Sequence, residues 1–248
     1  MSLPRTLQEL PELGDWCILS GYRGSISHGT YMENNPHWTD LKEVIGIVLP
    51  PRDYYYGLKE YSSRWFEEGE WGIQVYDLQR AIQELLKCNS EYLCLLWLED
   101  NLYIRRTGRG EMLLDNKSLF IGKHIYENLV HWARIQLEEW EPGHRPDYGG
   151  MKRRILVERF GYNTIDASRL IMLLRMMCIE LMISGEINVM RQDAQELMEV
   201  KRGEWSLGQV KDEIRRLLVK SEDALIASKL PEKPDREKIH RLCLEISR

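Results

Sequence analysis

Three short runs in the first third of the chain gather Val, Ile and aromatic residues between Gly and Pro: CILSGYRG from Cys17, VIGIVLPP from Val44 and WGIQVYD from Trp71. Runs of that length and composition, so bounded, predict strands. Between the second and third, DYYYGLKEYSSRWFEE reads as a Tyr-rich linker or a short helix. The period then changes. Leu78, Ala81, Ile82, Leu85 and Leu86 recur at the three-and-four spacing of an amphipathic helix, and EYLCLLWLED follows as a second apolar segment. From about Ser118 the pattern predicts helix after helix: SLFIGKHIYENLVHWARIQLEEW up to Pro142, then MKRRILVERFGYN beyond the Gly/Pro-rich EPGHRPDYGG. TIDASRLIMLLRMMCIELMISG is apolar nearly all round and is expected to be the buried centre of that region, with Asn163 or Thr164 capping its start and Gly185 ending it. Ser206 and Gln209 have the form of a capping box opening a further helix, and Pro231 and Pro234 separate off a short charged one.

The expected fold is therefore α+β: an N-terminal domain with a mixed β-sheet over residues 1–117, followed by a C-terminal helical domain over 118–248. The apolar share of 43% and charged share of 29% are those of an ordinary globular protein, which removes disordered and fibrous classes. A net charge of -5 argues against coating nucleic acid by bulk electrostatics, while leaving room for a local basic patch. The five cysteines form no CxxC pair and share no metal-ligand spacing with the histidines, so reduced, mostly buried thiols are expected. With no signal-peptide pattern at the start and no apolar run near the length of a membrane span, the expected compartment is the cytoplasm, with no membrane partner.

The candidate chemistry begins at Gly21-Tyr-Arg-Gly-Ser-Ile-Ser-His-Gly-Thr30. Glycines at 21, 24 and 29 let backbone N–H groups approach an anion, and Ser25, Ser27 and Thr30 add hydroxyls. No Gly-Lys-Ser/Thr follows, so this is not a Walker loop. Arg23 and His28 flank the turn, and either a phosphate contact or a structural hydrogen bond is open to His28. Asp40 and Glu43 stand immediately before the VIGIV run, where carboxylates could hold Mg²⁺ beside a triphosphate. Residues two apart on a strand share a face, and the residue two before Glu43 is Leu41. Asp40 reaches the same side only from ahead of the strand or through a bulge near Leu41 and Lys42.

The ordered succession of GYRGSISHGTY, the acids, a Gly-containing strand ending in Pro-Pro, VYDLQRAIQELLKCNSEYLCLLWL, FGYNTIDASRLIMLLRM and VKRGEWSL resembles the DNA polymerase β nucleotidyltransferase superfamily, and within it an RNA-repair-associated polymerase β-like family. The resemblance covers most of the chain. It implies an N-terminal nucleotidyltransferase domain that uses Mg²⁺ (or Mn²⁺) to transfer a nucleoside monophosphate from a nucleoside triphosphate to a hydroxyl of a nucleic-acid end, RNA favoured. Under it Gly24 and Ser25 are the triphosphate turn, with Arg23 and His28 beside it, and Tyr162 is left as a stacking surface for a base. Asp40, Glu43 and Asp77 are the metal-binding and catalytic acids, with Glu70 and Asp53 as weaker substitutes for the last. The sequence departs from the family at Leu41, and at Ile165 and Arg169, where members often carry Lys and His. Two other readings therefore stand beside the first: a degenerate, non-catalytic relative that binds a nucleotide or a partner, and nucleotide transfer onto a protein hydroxyl.

Other features read more plainly. His124 and His131, seven apart on a helix, suit a solvated face better than a metal pair, and Trp65, Trp71, Trp97, Trp132 and Trp140 suit core or interface anchors. Met172, Met176, Met177 and Met182 suit core packing. Lys152, Arg153 and Arg154, with Arg145 and Arg159, form the densest basic cluster, either solvated or placed to receive a phosphate backbone.

Overall fold

In the strand KEVIGIV, positions 44 to 48 are all buried, so both faces of this segment are covered and it belongs at the centre of a sheet. The computed structural model describes residues 13–33, 40–56, 58, 61, 64–141 and 151–248. Its strands are β1 (Cys17–Arg23), β2 (Lys42–Val48), β3 (Arg64–Glu68), β4 (Trp71–Asp77) and β5 (Tyr103–Arg106). They form one mixed sheet in the order β3-β4-β2-β1-β5. The β2–β4 pair is parallel; the other pairs are antiparallel. Ile45, Ile47, Ile73 and Val75 are essentially inaccessible, and each such side chain stabilises the fold by roughly 1.5–3 kcal/mol.

The chain divides into two compact units. One comprises Met1–Tyr31, Asp40–Ile121 and Pro234–Arg248; the other comprises Met32–Thr39 and Gly122–Lys233. In the first, a single helical turn α1 (Gly24–Ser27) leaves β1, α2 (Asp53–Tyr56) follows β2, and α3 (Leu78–Leu86) and α4 (Ser90–Leu95) pack together and onto the sheet. The α3 pattern works as its spacing requires: Leu78, Ala81, Ile82 and Leu85 are buried on one side. α5 (Gly108–Asp115) lies on β1. In the second unit α6 (His124–Glu139), α7 (Met151–Phe160) and α8 (Thr164–Leu173) are followed by a π-helical stretch, Leu174–Glu180, and by α9 (Leu181–Ser184). α10 (Ala194–Arg202) and α11 (Leu207–Ala227) complete it. The charged terminal helix α12 (Arg236–Ile246) packs on α5 and the turn Lys117–Phe120, within the unit that holds the sheet.

The α+β architecture, with a mixed sheet first and a helical region after it, is thus the one expected. Asn163 caps α8 by accepting from the N–H of Ile165 and Asp166, Gly185 ends α9 in the left-handed region at φ 74°, and Ser206 and Gln209 form the reciprocal box. Met172, Met176, Met177 and Met182 are core residues, and the cysteines are free thiols. The Tyr-rich segment differs from its reading, because it carries the strand β3 as well as the short helix α2. Among the described residues no helix is long and apolar enough to cross a membrane.

Candidate functional site

β1 ends at Arg23 and the chain turns at once into α1, a reversal that needs Gly24 at φ +61°. The turn closes on itself. Thr30 N–H donates to the Ser25 carbonyl at 2.8 Å, His28 N–H to the Gly24 carbonyl at 3.1 Å, and Ser27 Oγ to that same carbonyl at 3.0 Å. A Cβ on Gly24 would run into the Glu43 carboxylate, because antiparallel pairing sets Arg23 opposite Glu43. The Gly-Ser turn and the acid at the start of β2 are therefore brought together as the sequence predicts.

What fills the space between them was not expected. Arg23 Nη2 donates to Glu43 Oε1 at 2.8 Å, and Nη1 donates to Gln74 Oε1 on β4. Glu91 Oε2 lies 4.0 Å from Arg23 Nε, and the guanidinium stands 5.3 Å from the Trp65 ring centroid. Burial opposes the charge of Arg23, but Glu91 and Glu43 outweigh it and hold the pKa above its ordinary value. Gln74 in turn donates to the Tyr76 hydroxyl at 2.7 Å, and Tyr76 stacks on buried Tyr92 at 5.0 Å. Sequence reasoning missed Gln74, Trp65 and Glu91. The signal lay in WGIQVYD, where Gln74 is the polar residue inside an otherwise apolar strand.

Two Mg²⁺ need several carboxylate oxygens on one side of neighbouring strands. Parallel register pairs Glu43 with Gly72 and Val48 with Asp77, so Asp77 lies five positions beyond the level of Glu43. At ~3.3 Å per residue that is about 16 Å, too far to share a metal pair. Asp77 is also engaged, capping α3 by accepting from Arg80 N–H at 3.0 Å. The residues that do share the face of Glu43 on β4 are Gly72, Gln74 and Tyr76. Leu41 and the Trp65 ring close over Gly72, the nearest Trp65 carbon falling 2.7 Å from where a Cβ would stand. The position two before Glu43 is thus greasy in space as well as in sequence. Asp40 is 7% exposed ahead of β2. Among the described residues no group of three or more Asp, Glu, His or Cys is arranged to hold a metal ion. Of the expected acids Asp40, Glu43 and Asp77, the strand register holds Asp77 apart from Glu43, and the donors among the described residues do not fit a metal pair.

The substitutes fare no better. Glu70 is held by Lys42, whose Nζ lies 2.5 Å from its Oε2, and Asp53 is an exposed residue in the first turn of α2. His28 is 5% exposed, which favours the structural hydrogen bond over a phosphate contact. Tyr162, expected as a stacking surface, is buried. At 1% exposure its ring has no free face for a base; its hydroxyl donates to the Trp205 carbonyl at 2.7 Å, and burial pushes its pKa up to about 12. Tyr162 also belongs to the helical unit, whereas Arg23, Gly24, Ser25, Asp40, Glu43 and Asp77 belong to the other.

Of the basic cluster, Arg145 and the Lys152 side chain lie outside the described residues. Arg153 pairs with Asp166 at 3.5 Å and Arg154 with Glu158 at 2.7 Å. His131 is exposed, but His124 is half-buried and burial lowers its pKa, so the two do not form one solvated face. Trp65 is 44% exposed and is the departure from the expected core anchors.

No family model matches this chain, and no curated protein matches it.

Proposed function

We propose that the chain is a nucleotidyltransferase-like, cytoplasmic protein that binds a nucleotide without metal and does not transfer it. The observation that carries this reading is the Arg23 guanidinium held between Glu43 and Gln74. A fixed internal cation there offsets the charge of Glu43 beside the Gly-Ser turn, leaving that carboxylate little need of a divalent ion. With Gln74 on β4 and Leu41 ahead of β2, the neighbouring positions on that face add no anionic oxygen. Phosphoryl-type transfer works by positioning and by neutralising developing charge, and a guanidinium already paired with Glu43 has part of its charge offset before a triphosphate arrives. The nucleotide in this reading is supported by the resemblance of the ordered stretches from GYRGSISHGTY to VKRGEWSL, and the compartment by the free cysteines.

The transferase reading retains one supporting feature, the contact between Gly24 and the Glu43 carboxylate. One assay separates the two. The full chain is incubated with each labelled nucleoside triphosphate, Mg²⁺ or Mn²⁺, and RNA, DNA or protein acceptors, alongside Glu43→Ala. The proposal expects no label on any acceptor with either protein. Transfer by the wild type that Glu43→Ala abolishes would establish the metal-dependent enzyme instead, and the labelled acceptor would identify its substrate.

A further inference from the structure

At the other end of β1 from the Gly-Ser turn lies an open cavity of about 510 Å³. Its lining includes Asp15, Trp16, Arg105, Thr107, Gly108 and Arg109. The volume is that of a small-ligand site, and the chemistry is selective. Arg105 and Arg109 both reach it, and no ion pair among the described residues takes up either guanidinium. Their neighbour Arg106 behaves differently, being engaged by Asp100 and Glu111 at 2.6 Å each. Alternation along β5 sends Arg106 to the other side of the sheet from Arg105. Arg105 is near enough to Cys17 to act on its thiol electrostatically.

Thr107 fixes the lip of the cavity, with its N–H and hydroxyl both donating to the Ile18 carbonyl, at 3.1 and 2.9 Å. The amides of Gly108 and Arg109 that follow open α5 and have no partner within the helix. Trp16, 38% exposed, supplies an aromatic ring held from outside by Tyr54 and Tyr61 at 5.2 and 6.5 Å. Asp15 adds a hydrogen-bond acceptor to the same lining.

We propose that this cavity is a mononucleotide site, with Arg105 and Arg109 taking the phosphate, Trp16 the base and Asp15 a sugar hydroxyl. Guanidinium groups bind phosphate in a bidentate fork, an indole ring suits a planar base, and a carboxylate selects hydroxyl donors. The inference rests on the reading of the chain as a metal-independent nucleotide binder, and it moves the nucleotide away from the turn occupied by Arg23.

Calorimetric titration of the full chain in EDTA with AMP, adenosine and inorganic phosphate tests it. AMP should bind, and adenosine and phosphate should each bind about tenfold or more weakly. Arg105→Gln/Arg109→Gln should weaken AMP by about a hundredfold or more, since each charge-assisted bond is worth about tenfold or more. Arg109→Glu alone, a change at an exposed position, should weaken AMP by at least about tenfold. Absence of AMP binding, or unchanged affinity in Arg109→Glu, overturns the inference. Loss of AMP in Arg23→Met with the double variant unaffected also overturns it, returning the nucleotide to the Gly-Ser turn. Label transfer abolished by Glu43→Ala overturns the proposed function separately.

Discussion

Two arginines, one in each unit, are buried to nearly the same degree and partnered in different ways. The Arg175 side chain is 13% exposed and meets three carboxylates, Asp193 at 2.8 Å, Glu196 at 3.0 Å and Glu213 at 2.6 Å. The Arg23 side chain is 14% exposed and meets one carboxylate at 2.8 Å, a second, Glu91, at 4.0 Å, and one amide. Arg175 lies in the π-helical stretch, and its partners come from the start of α10 and from α11, so it ties three segments of the helical unit together. Arg23 likewise ties β1 to β2 and β4. The comparison teaches that Arg23 has the anatomy of a strut rather than of a ligand-binding side chain waiting for an anion. Its counter-charge is smaller because Glu91 stands off at 4.0 Å and the partner on β4 is the neutral Gln74.

Breaking the larger network should cost more. Arg175→Ala leaves three acids gathered with only Arg191 and Arg216 to offset them, and should lower stability by about 3 kcal/mol in urea unfolding. The same network sets the acid limb. Burial alone would raise the pKa of Asp193 and of Glu213, but hydrogen bonds from their arginine partners outweigh it and depress both below 3.8 and 4.5 respectively. Depressed folded-state values mean the unfolded chain binds more protons, so this stabilisation is present above about 4.5 and is lost as pH falls through the folded values. Urea midpoints followed from pH 6 down should therefore drop in the wild type and drop less steeply in Arg175→Ala.

Arg23→Met should cost less, about 2 kcal/mol, because the Glu43 and Glu91 side chains left behind are 24% and 18% exposed and can rehydrate, while Gln74 Oε1 loses its donor. A loss as large as that of Arg175→Ala would erase the distinction drawn between the two sites. Tyr162→Phe should cost the least, about 1 kcal/mol for the bond to the Trp205 carbonyl. It should leave AMP affinity unchanged; a large loss of affinity would restore Tyr162 to the site.

Much of this was written locally in the chain. β1, β2 and β4, the capping box at Ser206 and the left-handed stop at Gly185 follow from short-range pattern, and the structure has them. β3 and β5 were not legible, because RWFEE and YIRR are short, charged strands at the two edges of the sheet, where alternation is not enforced by two buried faces. The adjacency of the Gly-Ser turn and Glu43 was legible. The placement of Asp77 was not: it depends on the parallel register of β2 and β4, a long-range property that no single strand declares. Leu41, two positions ahead of Glu43, was a warning within local reach, and in the structure it lies with the Trp65 ring over Gly72.

The central claim is that a guanidinium, not a metal, neutralises Glu43. Electron paramagnetic resonance titration of Mn²⁺ into the full chain with ATP, for wild type and Glu43→Ala, addresses it most directly. The account predicts the same amount of protein-bound Mn²⁺ in both. One Mn²⁺ per chain in the wild type, lost in Glu43→Ala, would contradict it.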